Sequence, residues 1–382
     1  MNKDWKLDTL LAQAGIKNDE ATGALTTPLH FSTTYQHPEF GQSTGYDYTR
    51  TKNPTRSSLE ETLAVIESAR YALATSSGMS AIVLAFSIFP VGSKILAVRD
   101  LYGGSFRWFN QMEEEGKFHF IYANTEEELL SSLTDDIDVV YIETPTNPLM
   151  VEFDIKRISS VAHSKNAKVI VDNTFYTPIY QRPLEEGADL VLHSATKYLG
   201  GHNDVLAGAV MTSDTALYEQ LFYNLNTTGA VLSPFDSYLL LRGLKTLSLR
   251  MDRATKNAQE VVAFLETTPQ VKEVKYSGKG GMISFKVVQE DKIPTILNKL
   301  SVFTFAESLG GVESLITYPA TQTHADIPEV VRHSYGLSYK KCSRSSCFSR
   351  NDTSSQRGKI FWQRWNDLIQ SCSRRQNPYD SE

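Results

Sequence analysis

Residues 188–201 read Ala188-Asp-Leu-Val-Leu-His-Ser-Ala-Thr-Lys-Tyr-Leu-Gly-Gly201. The apolar run Leu190–Leu192 has the length and composition of a short buried strand, and Lys197 follows a few residues later, ahead of paired glycines. A lysine just past the end of a sheet strand stands where ligands of open α/β sheets gather. There its amine can form an imine with a cofactor aldehyde. The hydroxyls of Ser194 and Thr196 flank it as donors for a phosphate. Alone, the stretch also fits a solvated lysine after a strand, which is the commoner case.

Three upstream stretches add to it. In Val169-Ile-Val-Asp-Asn-Thr-Phe175 the carboxylate of Asp172 closes an apolar run, where an ionised group is costly unless paired. A pyridinium nitrogen is such a partner, and the carboxylate keeps the ring protonated as an electron sink. The plain alternative is an aspartate capping a turn. Ala74-Thr-Ser-Ser-Gly-Met-Ser80 follows a strand and opens a helix, so its backbone N–H groups form an anion site and Gly78 permits close approach. A Ser77 N-cap explains part of this stretch without any ligand. Asp100-Leu-Tyr-Gly-Gly104 sets Tyr102 in a turn, available to stack on a planar ring or simply to pack at the surface. Neither Gly-x-Gly-x-x-Gly nor a Walker lysine loop occurs, which leaves dinucleotide and P-loop readings without support.

Around these stretches, strands and helices alternate. Strands are predicted at Tyr71–Thr75, Lys94–Val98, Phe118–Ala123, Val139–Glu143, Val169–Asp172, Leu190–His193 and Ala207–Met211. Helices are predicted at Ser80–Phe89, Gly104–Glu115 and Ile155–Ser164. This is the pattern of βαβ units and an α/β fold with a mostly parallel seven-stranded sheet. A long helical stretch, Ser237–Leu265, then leads to strands at Val271–Tyr276 and Met282–Val287. The expected organisation is an extended arm over 1–56 suited to a neighbouring subunit, a large domain over 57–250, a smaller α+β domain over 251–337 and an atypical tail over 338–382.

Composition narrows the function. The 382 residues are 41% hydrophobic and 21% charged with a net charge of −6, which argues against nucleic acid as a partner. No apolar run approaches a membrane span. Met-Asn-Lys-Asp-Trp-Lys is not followed by an apolar signal run, so the expected location is the cytoplasm. Neither Cys-x-x-Cys nor His-Glu-x-x-His occurs, and no metal is expected.

With these elements in this order, the chain closely resembles the transsulfuration, or Cys/Met-metabolism, family of pyridoxal-phosphate (PLP) enzymes, from about Leu7 to Leu337. The resemblance is carried by Tyr48-Thr-Arg-Thr-Lys-Asn-Pro-Thr55, Ser77-Gly-Met79, Asp100-Leu-Tyr-Gly-Gly104, Glu143-Thr-Pro-Thr-Asn-Pro148, Asp172-Asn-Thr-Phe175 and His193-Ser-Ala-Thr-Lys-Tyr-Leu-Gly-Gly201. It implies an aspartate-aminotransferase-like large domain of fold type I. Lys197 would hold the cofactor and shuttle protons, Asp172 would pair the ring nitrogen, and Tyr102 would stack on the ring and serve as a base. Ser77, Gly78, Met79, Ser194 and Thr196 would hold the phosphate, with Thr174 also in the cofactor site and Asn147 near the ring oxygen. Tyr48 and Arg50 would reach the phosphate of a neighbouring subunit, which implies a homotetramer with shared active sites.

Within the family, Phe305-Ala-Glu-Ser-Leu-Gly-Gly-Val-Glu-Ser314 is similar to γ-synthases, whose residues matching Glu307 and Ser308 line the substrate site. Small amino-acid substrates are therefore expected. The implied reaction is γ-replacement on an O-acyl-L-homoserine by L-cysteine, of the cystathionine γ-synthase type. β-Lyases, γ-lyases and O-acetylhomoserine sulfhydrylases share almost every motif. Methionine γ-lyases carry a cysteine soon after the stacking tyrosine, where this chain has Gly103 and Gly104.

The resemblance breaks near Ser338. Family members continue past His324-Ala-Asp-Ile-Pro328 to a Leu-Arg-x-Ser-x-Gly-x-Glu segment whose arginine grips the substrate α-carboxylate. Here the sequence reads Cys342-Ser-Arg-Ser-Ser-Cys-Phe-Ser-Arg350, with Arg344 beside the matching position. Residues 338–382 hold ten serines, all three cysteines and a net +5, against −11 for the preceding 337. A reading-frame change near Ser338 accounts for this composition. It leaves open a PLP-binding but catalytically impaired protein.

Overall fold

A computed structural model describes residues 5–16, 19, 22–322 and, as backbone, 337–340. In chain order the helices are α1 (Leu7–Ala12), α2 (Pro54–Ile66), α3 (Gly78–Phe86), α4 (Gly103–Glu114), α5 (Glu126–Ser132), α6 (Ile155–Ser164), α7 (Thr177–Tyr180), α8 (Thr215–Thr228), α9 (Pro234–Leu244), α10 (Leu247–Glu266) and α11 (Ile293–Lys299). The strands are β1 (Tyr71–Thr75), β2 (Ser93–Val98), β3 (Phe118–Ala123), β4 (Val139–Glu143), β5 (Lys168–Asp172), β6 (Leu190–His193), β7 (Gly208–Thr212), β8 (Val271–Lys275), β9 (Met282–Val287), β10 (Thr304–Phe305), β11 (Leu315–Thr317) and β12 (Leu337–Lys340). The chain divides into two compact units between Leu249 and Arg250.

The first unit is built on a seven-stranded sheet in the order β1-β7-β6-β5-β4-β2-β3. Only β7 runs antiparallel to its neighbours; the other pairings are parallel. Parallel strands covered on both faces are apolar throughout, which is why β4, β5 and β6 read as unbroken Val, Ile and Leu runs and are legible in the sequence. Phe86, Phe109, Phe120 and Tyr141 pack ring against ring beside β2 and β4, with Phe109 and Phe120 stacked at 4.4 Å. Side-chain caps fix the helix starts: Asn53 accepts from Thr55 and Arg56, Ser77 from Ser80, and Asp154 from Arg157.

The stretch Ser237–Leu265, expected as one helix, is divided between α9 and α10. The Thr246 N–H and hydroxyl both bond the Gly243 carbonyl, at 3.2 and 3.1 Å, and this local bond competes with helix continuation.

In the second unit β8, β9, β12, β11 and β10 form a five-stranded sheet. Val261, Leu265, Ile283, Phe285, Leu297 and Ile316 are the centre of its apolar core. β12 takes in Ser338–Lys340, so this sheet extends three residues into the stretch that composition set apart. No described helix is long and apolar enough to cross a membrane.

Candidate active site

The C-terminal ends of β4, β5 and β6 lie side by side, with Glu143 opposite Asp172 and Asp172 opposite Leu192. This is the edge of an open parallel sheet at which ligands bind. Asp172 is 9% exposed. Its Oδ1 accepts the Thr174 N–H at 3.0 Å and the Thr174 hydroxyl at 2.5 Å. Burial pushes its carboxyl above the ordinary value of 3.8, and the two Thr174 bonds oppose the shift. A buried carboxylate supported by neutral donors gains from a cationic ligand, and a protonated pyridine nitrogen fits that requirement. The Thr174 hydroxyl also accepts the Ser194 N–H at 2.8 Å, so one side chain ties the end of β5 to the turn after β6.

That turn carries Lys197, which is half-buried. Its N–H donates to Ser194 O at 3.1 Å and its carbonyl accepts from Gly201 at 2.8 Å. On one side the turn lies against the first residues of α3. A Cβ on Gly78 would stand 2.7 Å from Ser194 Cβ and 2.8 Å from its Oγ, so only glycine lets the two meet. The Ser194 hydroxyl thus lies against Gly78 at the start of α3, and a helix N-terminus is a place suited to phosphate. Gly208 presses on the same helix start, since a Cβ there would fall 2.1 Å from Ser77 O. The Thr196 hydroxyl donates to Ala207 O at 3.1 Å and accepts the Ala207 N–H at 3.0 Å, fastening the turn to the start of β7.

Tyr102 stands just before α4, 40% exposed, with its N–H donating to Glu143 Oε2 at 3.0 Å. Its ring lies along Gly104, where a Cβ would meet Cε1 at 2.5 Å, which accounts for a glycine at 104. Glu143 also takes the N–H of Asn147, a buried residue, and so joins the two loops. Burial, then the Asp172 charge, pushes the Glu143 carboxyl well above its ordinary value. Glu143 closes an apolar strand by the same signal that marks Asp172.

The remaining expected site residues belong to other segments of the chain. Tyr48 and Arg50 lie in the arm, both exposed, with the Arg50 guanidinium 5.3 Å from the Tyr48 ring centre and its Nε 3.4 Å from Asn226 Oδ1 on α8. Glu307 and Ser308 follow β10 in the second unit; Glu307 is exposed and Ser308 has a φ of +92°. Arg344 lies outside the described residues.

The sheet order and the strand-end lysine and carboxylate define the class: an α/β enzyme of PLP fold type I. The sequence profile described as "Cys/Met metabolism PLP-dependent enzyme" matches residues 8–341. The chain is 51% identical to a Bacillus subtilis cystathionine γ-synthase/O-acetylhomoserine (thiol)-lyase, over 90% of this chain and 91% of that one. It is 43% identical to a B. subtilis cystathionine γ-lyase, over 87% and 92%. A crystal structure of cystathionine γ-synthase from Xanthomonas oryzae pv. oryzae, with aminoacrylate and cysteine, superposes at a TM-score of 0.89. That pair shares 35% identity, over 96% of this chain and 99% of that one. The chain belongs to the Cys/Met metabolism family of PLP-dependent enzymes.

Proposed function

We propose that this transsulfuration enzyme is of the cystathionine γ-synthase type, replacing the acyloxy group of an O-acyl-L-homoserine with the sulfur of L-cysteine. The Cγ–O bond breaks, a carboxylate leaves, the cysteine sulfur bonds to Cγ, and the product is cystathionine. The observation that carries the assignment of the site is one cluster: Asp172 at the end of β5, Lys197 after β6, and the α3 start against Ser194. The γ-synthase choice is supported by the relatives and by Glu307 and Ser308 in their Phe305–Ser314 setting.

PLP, when bound, supplies a sink for the electron pair left at the substrate α-carbon. Lys197 would be its covalent anchor, and its amine would move protons between the substrate carbons. Asp172 would pair the protonated ring nitrogen, and Thr174 holds its carboxylate through two hydrogen bonds. Tyr102 would stack on the ring and serve as a second base, and Asn147 would stand near the ring oxygen. Ser77, Gly78, Met79, Ser194 and Thr196 would receive the phosphate. Tyr48 and Arg50 complete the phosphate site of a neighbouring subunit in a homotetramer, where a guanidinium fixes both charge and orientation. Arg344 is the candidate for the substrate α-carboxylate.

Assaying cystathionine from O-acetyl- or O-succinyl-L-homoserine plus L-cysteine tests this directly. Turnover is expected. Cleavage of cystathionine without its synthesis would replace the reading with a β- or γ-lyase. A second reading, PLP binding with impaired catalysis, is favoured by the family match ending at residue 341, before Arg344. A yellow protein with neither activity would establish it.

A further inference from the structure

Behind the cofactor residues lies a polar cluster that none of these roles uses. Glu67, which ends α2, and His193, which ends β6, are both 0% exposed. Glu67 Oε1 accepts from His193 Nε2 at 2.5 Å and from Asn173 Nδ2 at 2.9 Å. Asn173 directly follows Asp172, and His193 directly precedes Ser194. One carboxylate oxygen thus grips the chain on both sides of the proposed cofactor contacts. Asn173 is held from every direction: its N–H donates to Leu192 O at 2.9 Å, its Nδ2 to Gln181 O at 3.0 Å, and its Oδ1 accepts from Gln181 Nε2 at 3.3 Å. Glu67 Oε2 and His193 Nδ1 are buried with no hydrogen-bond partner among the described residues.

A pair so buried is poor grounds for stability, because removing both groups from water consumes most of what their attraction returns. Apolar side chains in their place would seat α2 on the sheet at least as well. They would not pin two strand ends to a common point, nor set a charge behind Asp172.

We propose that Glu67 is a positioning residue for the cofactor site. Acting through Asn173 and His193, it holds the ends of β5 and β6 so that Asp172 faces the ring nitrogen and the Ser194–Lys197 turn faces the aldehyde and phosphate. Geometry carries the proposal, and electrostatics agrees with it. Burial pushes the Asp172 carboxyl up, the Thr174 bonds pull it down, and a charge on His193 pulls it down further. The inference rests on the roles proposed above for Asp172 and Lys197.

The test compares holoenzyme of the native chain, Glu67→Gln and Leu63→Ala. Leu63 is fully buried one turn earlier on α2, so its truncation lowers stability without touching the polar cluster. Two quantities are read: the dissociation constant for PLP, and the pH at which the visible band of the bound cofactor changes. Glu67→Gln is expected to weaken PLP binding about tenfold, a coupling ordinary for residues in one hydrogen-bond network. It is also expected to move the pH midpoint by about half a unit or more. Leu63→Ala lowers Tm and leaves both quantities in place. If Glu67→Gln changes neither, or Leu63→Ala changes both as much, the proposal is overturned. Should Glu67→Gln give no holoenzyme, His193→Asn gives the same two readouts from the other end of the bond. Lys197→Ala is run alongside: a native visible band there would remove the premise, and the inference with it.

Discussion

The ends of β5 and β6 and the arm bearing Tyr48 and Arg50 serve one proposed site, and they are built in opposite ways. At the strand ends Asp172, Asn173, Thr174 and His193 are buried and held by others: Asp172 by Thr174, Thr174 by Ser194, Asn173 and His193 by Glu67. In the arm the functional side chains are exposed, and order comes from below. Arg56, only 2% exposed, donates to the carbonyls of Arg50 and Thr51 at 3.2 and 3.1 Å and to Leu232 O at 3.4 Å. The strand ends are pre-set within one chain, as groups that meet reacting atoms need to be. The arm fixes its backbone and leaves Tyr48 and Arg50 at the surface, as groups offered to a neighbouring subunit need to be.

The largest effect is expected at the strand ends. Lys197→Ala removes the proposed proton carrier and is expected to lower turnover by roughly 10³-fold or more in steady-state assays. Asp172→Asn keeps the shape and removes the charge on the ring nitrogen. A charge-assisted bond contributes about 1.5–3 kcal/mol, so kcat is expected to fall roughly 10- to 150-fold. Gly78→Ala forces a methyl to 2.7 Å from Ser194 Cβ. Overpacking of this kind costs about 1–3 kcal/mol, and weaker PLP binding by fluorescence titration is expected, with the Lys197 chemistry intact.

Smaller effects are expected in the arm. Arg50→Ala should weaken PLP binding roughly tenfold, the loss of one charge-assisted bond. Mixed with Lys197→Ala subunits, Arg50→Ala protein should regain activity above either parent. No recovery would mean that sites are not shared between subunits. The smallest effect belongs to Glu60, whose carboxylate lies 3.5 Å from Arg56 Nε. Burial raises it from 4.5 to about 7, against Arg56, Lys52 and the Ala74 N–H, which pull it down. The native state therefore keeps a proton that the unfolded chain releases, and stability falls as pH rises from about 4.5 to about 7. In Glu60→Gln that slope of Tm against pH is expected to flatten.

The same contrast governs what the sequence reveals. The seven strands of the first sheet were legible to within a residue or so, β4, β5 and β6 because parallel strands covered on both faces are continuous apolar runs. Asp172 was legible as a charge closing such a run, and Glu143 carried the same mark. Gly78 was legible as part of a helix start, but its reason is Ser194, far along the chain and adjacent only in the fold. Glu67 and His193 were illegible as a pair, since 126 residues separate two groups that share one hydrogen bond. The division of the helix over 237–265 was equally hidden, because the bonds of Thr246 to Gly243 leave no apolar period to read.

Reductive trapping tests the central claim most directly. Purified protein is loaded with PLP, reduced with borohydride and digested, and the modified peptide is identified by mass. The account expects one cofactor adduct, on Lys197, absent from the Lys197→Ala variant. An adduct on a different lysine, or none on protein that is visibly yellow, would contradict it.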